Sequence, residues 1–210
     1  PAIIPTYILI TNLTRDSIMR NGHPEFISGI LTKHIPKETK LILNAEDLIS
    51  ANVSPDNERI YYGIDKQETD VTECINLIND MQICPKCSYK LKYNYLRYHH
   101  IGNAYCPNCG FKSPNADYQG KRIDYDKMTI DIKEKNSLTT YRILNNSIYN
   151  IYNVICVVAL FRDMGYSQKR IQELLKQIEI VRSRYNETEV DGVKVIMLLS
   201  KDRNALGSSR

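Results

Sequence analysis

Tyr7-Ile8-Leu9-Ile10-Thr11-Asn12, an apolar run that ends in a polar turn, is followed by a helical stretch opening at Pro24 and by a second apolar run, Leu41-Ile42-Leu43. Two short apolar runs flanking a helix-length segment read as a βαβ unit, because parallel strands need a crossover and the usual crossover is a helix. Pro24 suits a first helical turn, where its missing N–H has no intrahelical partner to lose, and Asn21-Gly22 breaks the chain before it. A third β-like piece, Arg59 to Ile64, makes the opening of the chain a series of strands in a parallel sheet with covering helices. The fold class expected is therefore α/β.

The 210 residues suffice for one core plus a smaller module. With 42% hydrophobic and 25% charged residues the composition is that of a soluble globular chain. No stretch approaches the roughly 20 apolar residues that span a bilayer. The net charge of +4 is too mild to identify a partner by itself, so position must carry any electrostatic argument. Pro1 leads directly into Tyr7–Ile10 with no secretory pattern, and a cytoplasmic location is expected.

Between Ile83 and Arg122 the composition changes to Tyr, Lys, Asn and Cys with few aliphatic residues, which cannot build an ordinary core. Here lie Cys84-Pro85-Lys86-Cys87 and Cys106-Pro107-Asn108-Cys109, spaced C-x2-C-x18-C-x2-C. Each C-x-x-C turn can aim two thiolates at one ion, and two such turns supply a closed tetrahedral sulfur shell for structural Zn2+. The alternative is a pair of disulfides or redox-active C-x-x-C turns. Gly110 follows the second turn in the expected place, whereas Ser88 stands in that place after the first. Cys74 and Cys156 lie in apolar, helix-like runs and are expected to be buried free thiols. His99 and His100 are expected to be exposed or adjacent to the ligands. Six tyrosines, among them Tyr89, Tyr93 and Tyr105, share the stretch from Cys84 to Arg122 with seven Lys or Arg and the single acid Asp117. Basic residues interleaved with aromatics suit single-stranded nucleic acid; the other reading is that the tyrosines wrap the metal site and the lysines solvate it.

Beyond this insert, Met128 to Ile132 alternates at period two and Leu138 to Ile143 is its hairpin partner. The run from Ile148 to Met164 is apolar on all sides, predicting a buried helix stopped by Gly165. Ser167 can cap a second helix with an apolar stripe at Ile171, Leu174, Leu175 and Ile178, and Val193 to Leu199 reads as a last strand.

These landmarks resemble, in order, those of the MurT-like ligases of the Mur ligase family. The matching pieces are Tyr7 to Asp16, Leu41-Ile42-Leu43-Asn44-Ala45-Glu46-Asp47, Tyr62-Gly63-Ile64, the two C-x-x-C turns, Cys109 to Pro114, and Tyr149-Asn150-Ile151-Tyr152-Asn153 entering a helix. The resemblance implies a parallel-sheet, Mur-ligase-like central domain, incomplete here, with an inserted zinc ribbon. It divides the chain into an ATP-binding part at 1–79 and 123–200, an insert at 80–122, and a linker at 201–210 toward an absent C-terminal domain. It also implies an ATP-dependent carbon–nitrogen ligase subunit that amidates the D-glutamate of lipid II, a peptidoglycan precursor, using Mg2+ and ammonia from a GatD-like glutaminase. By the same resemblance Asn150 and Asn153 sit beside adenine, Asn12 lies in the ligand-binding turn after a strand, and Lys201 belongs to the linker. Catalytic residues are not among the matches. No Gly-x-x-x-x-Gly-Lys-Ser/Thr phosphate loop occurs in the 210 residues, so this chain alone is not expected to turn over ATP. A zinc-ribbon nucleic-acid module and a non-catalytic scaffold partner are the alternatives.

Overall fold

The computed structural model describes residues 4–14, 24–74, 79–179 and 185–198. In chain order its elements are β1 (Tyr7–Ile10), α1 (Pro24–His34), β2 (Lys40–Asn44), α2 (Leu48–Ala51), β3 (Arg59–Ile64), β4 (Lys92–Tyr98), β5 (Ile101–Tyr105), β6 (Tyr118–Asp124), β7 (Thr129–Glu134), β8 (Ser137–Arg142), α3 (Ile148–Asp163), α4 (Gln168–Gln177), β9 (Tyr185–Val190) and β10 (Val193–Leu198). Six strands form one sheet in the order β1-β2-β3-β6-β7-β8. The first four are parallel, and β7 and β8 continue the sheet as an antiparallel meander. The parallel sheet expected from the opening runs is thus present.

Both faces of β2 are covered, which is why Leu41-Ile42-Leu43 shows no polar alternation. Ile42 packs with Ile60, Tyr62 and Ile64 against α3. Leu41 and Leu43 face the other way, with Ile10, Ile35, Val53 and Leu31 of α1. Helix α3 buries Ile151, Tyr152, Val154, Ile155, Cys156, Val158 and Ala159, consistent with its all-round apolar sequence. Its direction is fixed at both ends. Near its start, Tyr152 Oη donates to Glu46, just past the carboxyl end of β2; at its end, the Asp163 carboxylate accepts from Tyr7 Oη at 2.8 Å and Lys40 Nζ at 2.8 Å, at the amino ends of β1 and β2. The helix therefore begins at the carboxyl edge of the parallel strands and runs back against them.

Several details differ from the sequence expectation. Cys156 is a buried free thiol, but Cys74 is only half-buried and lies in irregular chain, not in a helix. Ser167 does cap α4, its Oγ accepting from the Arg170 amide at 3.2 Å, yet the helix ends at Gln177 and leaves Ile178 exposed. The last strand closes a hairpin of its own with β9 through Asp191-Gly192, both at positive φ as a two-residue hairpin turn requires; Leu199 lies outside the described residues.

A separate antiparallel pair, β4 and β5, lies across the carboxyl edge of the large sheet. Gly102 sits where the two strands cross closest, and a Cβ there would come within 2.3 Å of the Tyr95 carbonyl oxygen. Its amide donates to the Glu46 carbonyl at 2.8 Å, stitching the hairpin to the end of β2. The register slips between Leu96 and Tyr98, so Arg97 is the extra residue of a bulge. That lets Leu96 and Arg97 both point inward, which regular pleating forbids. Arg97 reaches Glu46 Oε2 at 2.9 Å and Asp70 Oδ2 at 2.7 Å, with side chains at 5%, 3% and 1% exposure. Its Nη2 also donates to the Asp65 carbonyl at 3.0 Å, at the end of β3. Tyr95 Oη donates to Glu46 Oε1 at 2.5 Å. Burial pushes the Glu46 carboxyl above its ordinary value against the pull of Arg97, Tyr152 and Tyr95. Burial and the neighbouring Glu46 carry both tyrosine hydroxyls upward, so they remain donors.

Removing one partner of such a pair leaves an uncompensated buried charge. Arg97→Met is expected to cost about 3–5 kcal/mol in urea unfolding. Adding Glu46→Gln to that variant should recover part of the loss, and a double variant no better than the single one would show that the pair is not coupled.

Candidate metal centre and the polar cluster at its base

The two C-x-x-C turns are near copies. The Ser88 amide donates to the Cys84 carbonyl at 2.8 Å and the Gly110 amide to the Cys106 carbonyl at 3.1 Å. Cys84 N–H then donates to Tyr89 O at 2.8 Å, and Cys106 N–H to Phe111 O at 2.6 Å. Ser88 and Gly110 hold matching left-handed conformations, φ 57° and 73°. The sequence difference at this position is therefore not a structural difference; the serine accepts the strained geometry that glycine adopts freely.

The four sulfurs lie within 4.8 Å of one another. The short approaches, Cys84 to Cys109 at 3.5 Å and Cys87 to Cys106 at 3.4 Å, run between the turns, and all four are free thiols. Neither C-x-x-C disulfide is formed, since a disulfide needs sulfurs about 2.05 Å apart. A tetrahedral ion with metal–sulfur bonds of about 2.3 Å wants its sulfurs about 3.8 Å apart, which this cluster meets. Thiols this close cannot ionise independently. Cys87 is drawn down to about 6, chiefly by a hydrogen bond from the Asn108 side chain and then by the Tyr89 backbone. Cys109 is held up to about 12: the Phe111 backbone would lower it, but desolvation and the three neighbouring sulfurs prevail. A divalent cation removes that conflict by favouring all four thiolates. With four protein donors the shell is closed, so an ion here organises the chain and offers no open position to a substrate.

Beneath the cluster, Cys84, Cys106, Leu91, Ala104 and Met81 pack on Leu48 and Ile49 of α2. Asp47 caps that helix, its Oδ1 accepting from the Ile49 amide at 3.0 Å. The same carboxylate accepts from the Leu13 amide at 2.7 Å and meets His100 Nε2 at 3.1 Å. One buried side chain thus ties together the turn after β1, the turn after β2 and the tip of the β4–β5 hairpin. His99 and His100 are not exposed: both are buried, at 6% and 1% exposure. The reason for His100 is its pairing with Asp47; its Nδ1 is a buried polar atom without a hydrogen-bond partner among the described residues.

Asn12 lies two residues past β1, between Thr11, whose carbonyl accepts from Asn44 Nδ2 at 3.1 Å, and Leu13. Asn150 and Asn153 occupy the first turns of α3, half-buried and exposed respectively. They flank Tyr152, which is anchored to Glu46, so all three asparagines stand at the carboxyl edge of the parallel strands, where ligands of open α/β sheets bind. Lys201 lies outside the described residues. Arg97 was not singled out by sequence reasoning, and Glu46, Asp47 and His100 were noted without the roles they take here; an acidic pair directly after a buried apolar strand was the available signal.

No family model matches the chain. It is 26% identical over 173 residues to the lipid II isoglutaminyl synthase (glutamine-hydrolyzing) subunit MurT of Staphylococcus aureus strain COL, covering 81% of this chain and 38% of that protein. The MurT subunit of Streptococcus pneumoniae strain R6 is 25% identical across 99% of this chain and 46% of its own length. The chain thus spans less than half the length of these relatives. Among solved structures, a pseudomurein peptide ligase type C from Methanothermus fervidus superposes with a TM-score of 0.74 at 24% identity, over 98% of this chain and 41% of that one. MurF from Acinetobacter baumannii superposes with a TM-score of 0.54 at 14% identity, over 92% and 33%. These superpositions establish a shared fold.

The matching φ values give a direct check on the twin turns. Ser88→Gly should stabilise the insert by about 1 kcal/mol, because left-handed backbone costs a non-glycine residue about that much. The readout is metal retention against a competing chelator, and a loss of retention would mean that the serine side chain makes a contact worth more than the strain.

Proposed function

We propose, from the premise that the chain is a MurT-like member of the Mur ligase family, that it is part of the ligase subunit of an ATP-dependent amidotransferase acting on the D-glutamate of lipid II. The observation that carries this reading is convergence: the turn at Asn12, the acidic end of β2 and the start of α3 meet at one edge of the parallel sheet, roofed by the four-cysteine insert. We assign residues 1–79 and 123–200 to the ATP-binding part, 80–122 to the insert with Tyr118–Arg122 as its return into the sheet, and 201–210, including Lys201, to a linker.

In this reading Cys84, Cys87, Cys106 and Cys109 hold a structural Zn2+. All-sulfur coordination suits that ion. Asn150 and Asn153 donate and accept at the adenine edge, and Asn12 orders the turn that faces the nucleotide. In the complete protein, ATP with Mg2+ supplies the phosphoryl group that makes a carboxylate attackable by ammonia, which a GatD-like glutaminase delivers. The 210 residues hold no Gly-x-x-x-x-Gly-Lys-Ser/Thr loop, so base contacts here are unmatched by phosphate contacts and the chain alone does not turn over ATP. No described helix is long and apolar enough to cross a membrane.

The test uses the complete protein with its glutaminase partner, scoring conversion of lipid II D-glutamate to D-isoglutamine. Asn153→Ala should raise the KM for ATP about five-fold, the loss of one net hydrogen bond of about 1 kcal/mol. Cys106→Ser should lower the yield of folded, zinc-loaded protein while leaving turnover per folded molecule unchanged. A complete complex that leaves lipid II unmodified, or a fully folded Cys106→Ser protein that has lost only the chemical step, contradicts the reading.

A further inference from the structure

The insert has an outward face that neither the metal nor the polar cluster uses. Ile83 bridges Lys90, Lys92 pairs with Tyr105, and Tyr105 bridges Lys112. Residues directly opposite each other across antiparallel strands share a face, so these five side chains stand on one side of the small sheet. The residues between them, Cys84, Leu91 and Cys106, point the other way into the packing on α2. The alternation is strict: the inward set is buried, whereas Lys90, Lys92 and Lys112 are exposed and Ile83 is 57% exposed. Tyr89, 53% exposed, extends the same surface at the first turn. Together with Lys90, Lys92 and Tyr105 it borders a hollow of about 760 Å³, where Glu73 is the acidic neighbour. The three lysines make no ion pair among the described residues.

Three lysines without an ion pair among the described residues, set around an exposed isoleucine and two tyrosines, are not accounted for by the fold. Lysines extend toward anionic headgroups, tyrosine partitions to the boundary between water and acyl chains, and an isoleucine beside them inserts where a phosphate backbone would offer it nothing. We propose that this face docks the protein on an anionic membrane surface. The choice of a membrane over other polyanions rests on the reading above, because a lipid-linked substrate has to be met at a bilayer. A peripheral contact of this kind needs no spanning helix, and its electrostatic part fades beyond a Debye length of about 10 Å at 0.1 M salt. Three lysines together raise partitioning on the order of 100-fold.

The experiment is co-sedimentation of the 210-residue protein with vesicles of phosphatidylcholine containing 30% phosphatidylglycerol, against pure phosphatidylcholine, at 0.1 M and 0.5 M salt. Binding should require phosphatidylglycerol and weaken at high salt. It should fall at least about 100-fold in the variant combining Lys90→Glu, Lys92→Glu and Lys112→Glu, which removes the attraction of three lysines and adds repulsion. A variant with the same charge change at Lys133, Lys135 and Lys169, exposed lysines on the large sheet and α4, should bind within a few-fold of the original. Bound metal in both variants shows that the insert is folded; if the triple variant loses metal, Ile83→Ser with Tyr89→Ser replaces it and should also lose binding. Absence of binding to phosphatidylglycerol vesicles by metal-loaded protein overturns the proposal, as do equal losses in both triple variants or binding to single-stranded RNA in place of vesicles. Failure to amidate lipid II would sink the functional reading without touching the vesicle result, so the two can fail separately.

Discussion

Arg97 and Glu46 form an ion pair that water barely reaches, and most of what is specific about this protein follows from satisfying it. Burying two charges costs several kcal/mol per ion unless every donor and acceptor finds a partner. Glu46 meets this by accepting from Tyr95, Arg97 and Tyr152. Arg97 meets it by spending Nε and Nη2 on Asp70, Nη2 again on the Asp65 carbonyl, and Nη1 on Glu46. These partners come from the ends of β2 and β3, the chain after β3, the hairpin itself and the first turns of α3. A shift of the hairpin by one residue would strand at least one charge, so the pair fixes the register between the insert and the sheet.

That constraint explains how a small insert with few aliphatic residues is held in place. Its own apolar cluster is limited to Leu91, Ala104, Met81 and two of the cysteines against Leu48 and Ile49. A core of that size does not fold by itself, and an ion held by the four sulfurs would supply the missing stability as metal binding energy. The four cysteines close on one another at the turns, Asp47 holds their base by joining α2, Leu13 and His100, and Arg97 locks the hairpin to the sheet. Because Tyr152 shares Glu46 with Arg97, the turns of α3 that carry Asn150 and Asn153 rest on the same support.

The sheet and the cysteine cluster were legible in the sequence because each depends on a local pattern. Leu41-Ile42-Leu43 is uninterrupted because both faces are covered, and the C-x-x-C spacing by itself brings four sulfurs within reach of one ion. The strands β4 and β5 were not legible. Their alternation is broken by bulges at Asn94 and Arg97, and their inward residues include charge and tyrosine hydroxyls where a pattern reader expects aliphatics. Arg97 looks like one more basic residue of a positive insert until its partners, 27 and 51 positions away, are known. His100 is hidden for the same reason, since only the three-dimensional neighbour Asp47 makes its burial affordable. The proposed base contacts at Asn150 and Asn153 came from family resemblance; the direction of α3 gives them a physical location but not, by itself, a ligand.

The central claim is that the four-cysteine insert and the carboxyl edge of the parallel sheet form one mechanical unit through Arg97 and Glu46. Amide hydrogen exchange of the protein with and without its metal tests this most directly. The account predicts that stripping the metal raises exchange within residues 84–112, and also at the amides of residues 46–49 and 150–154, while the middle of β2 and the end of α3 keep their protection. Faster exchange confined to residues 84–112, with the start of α3 unchanged, would contradict it.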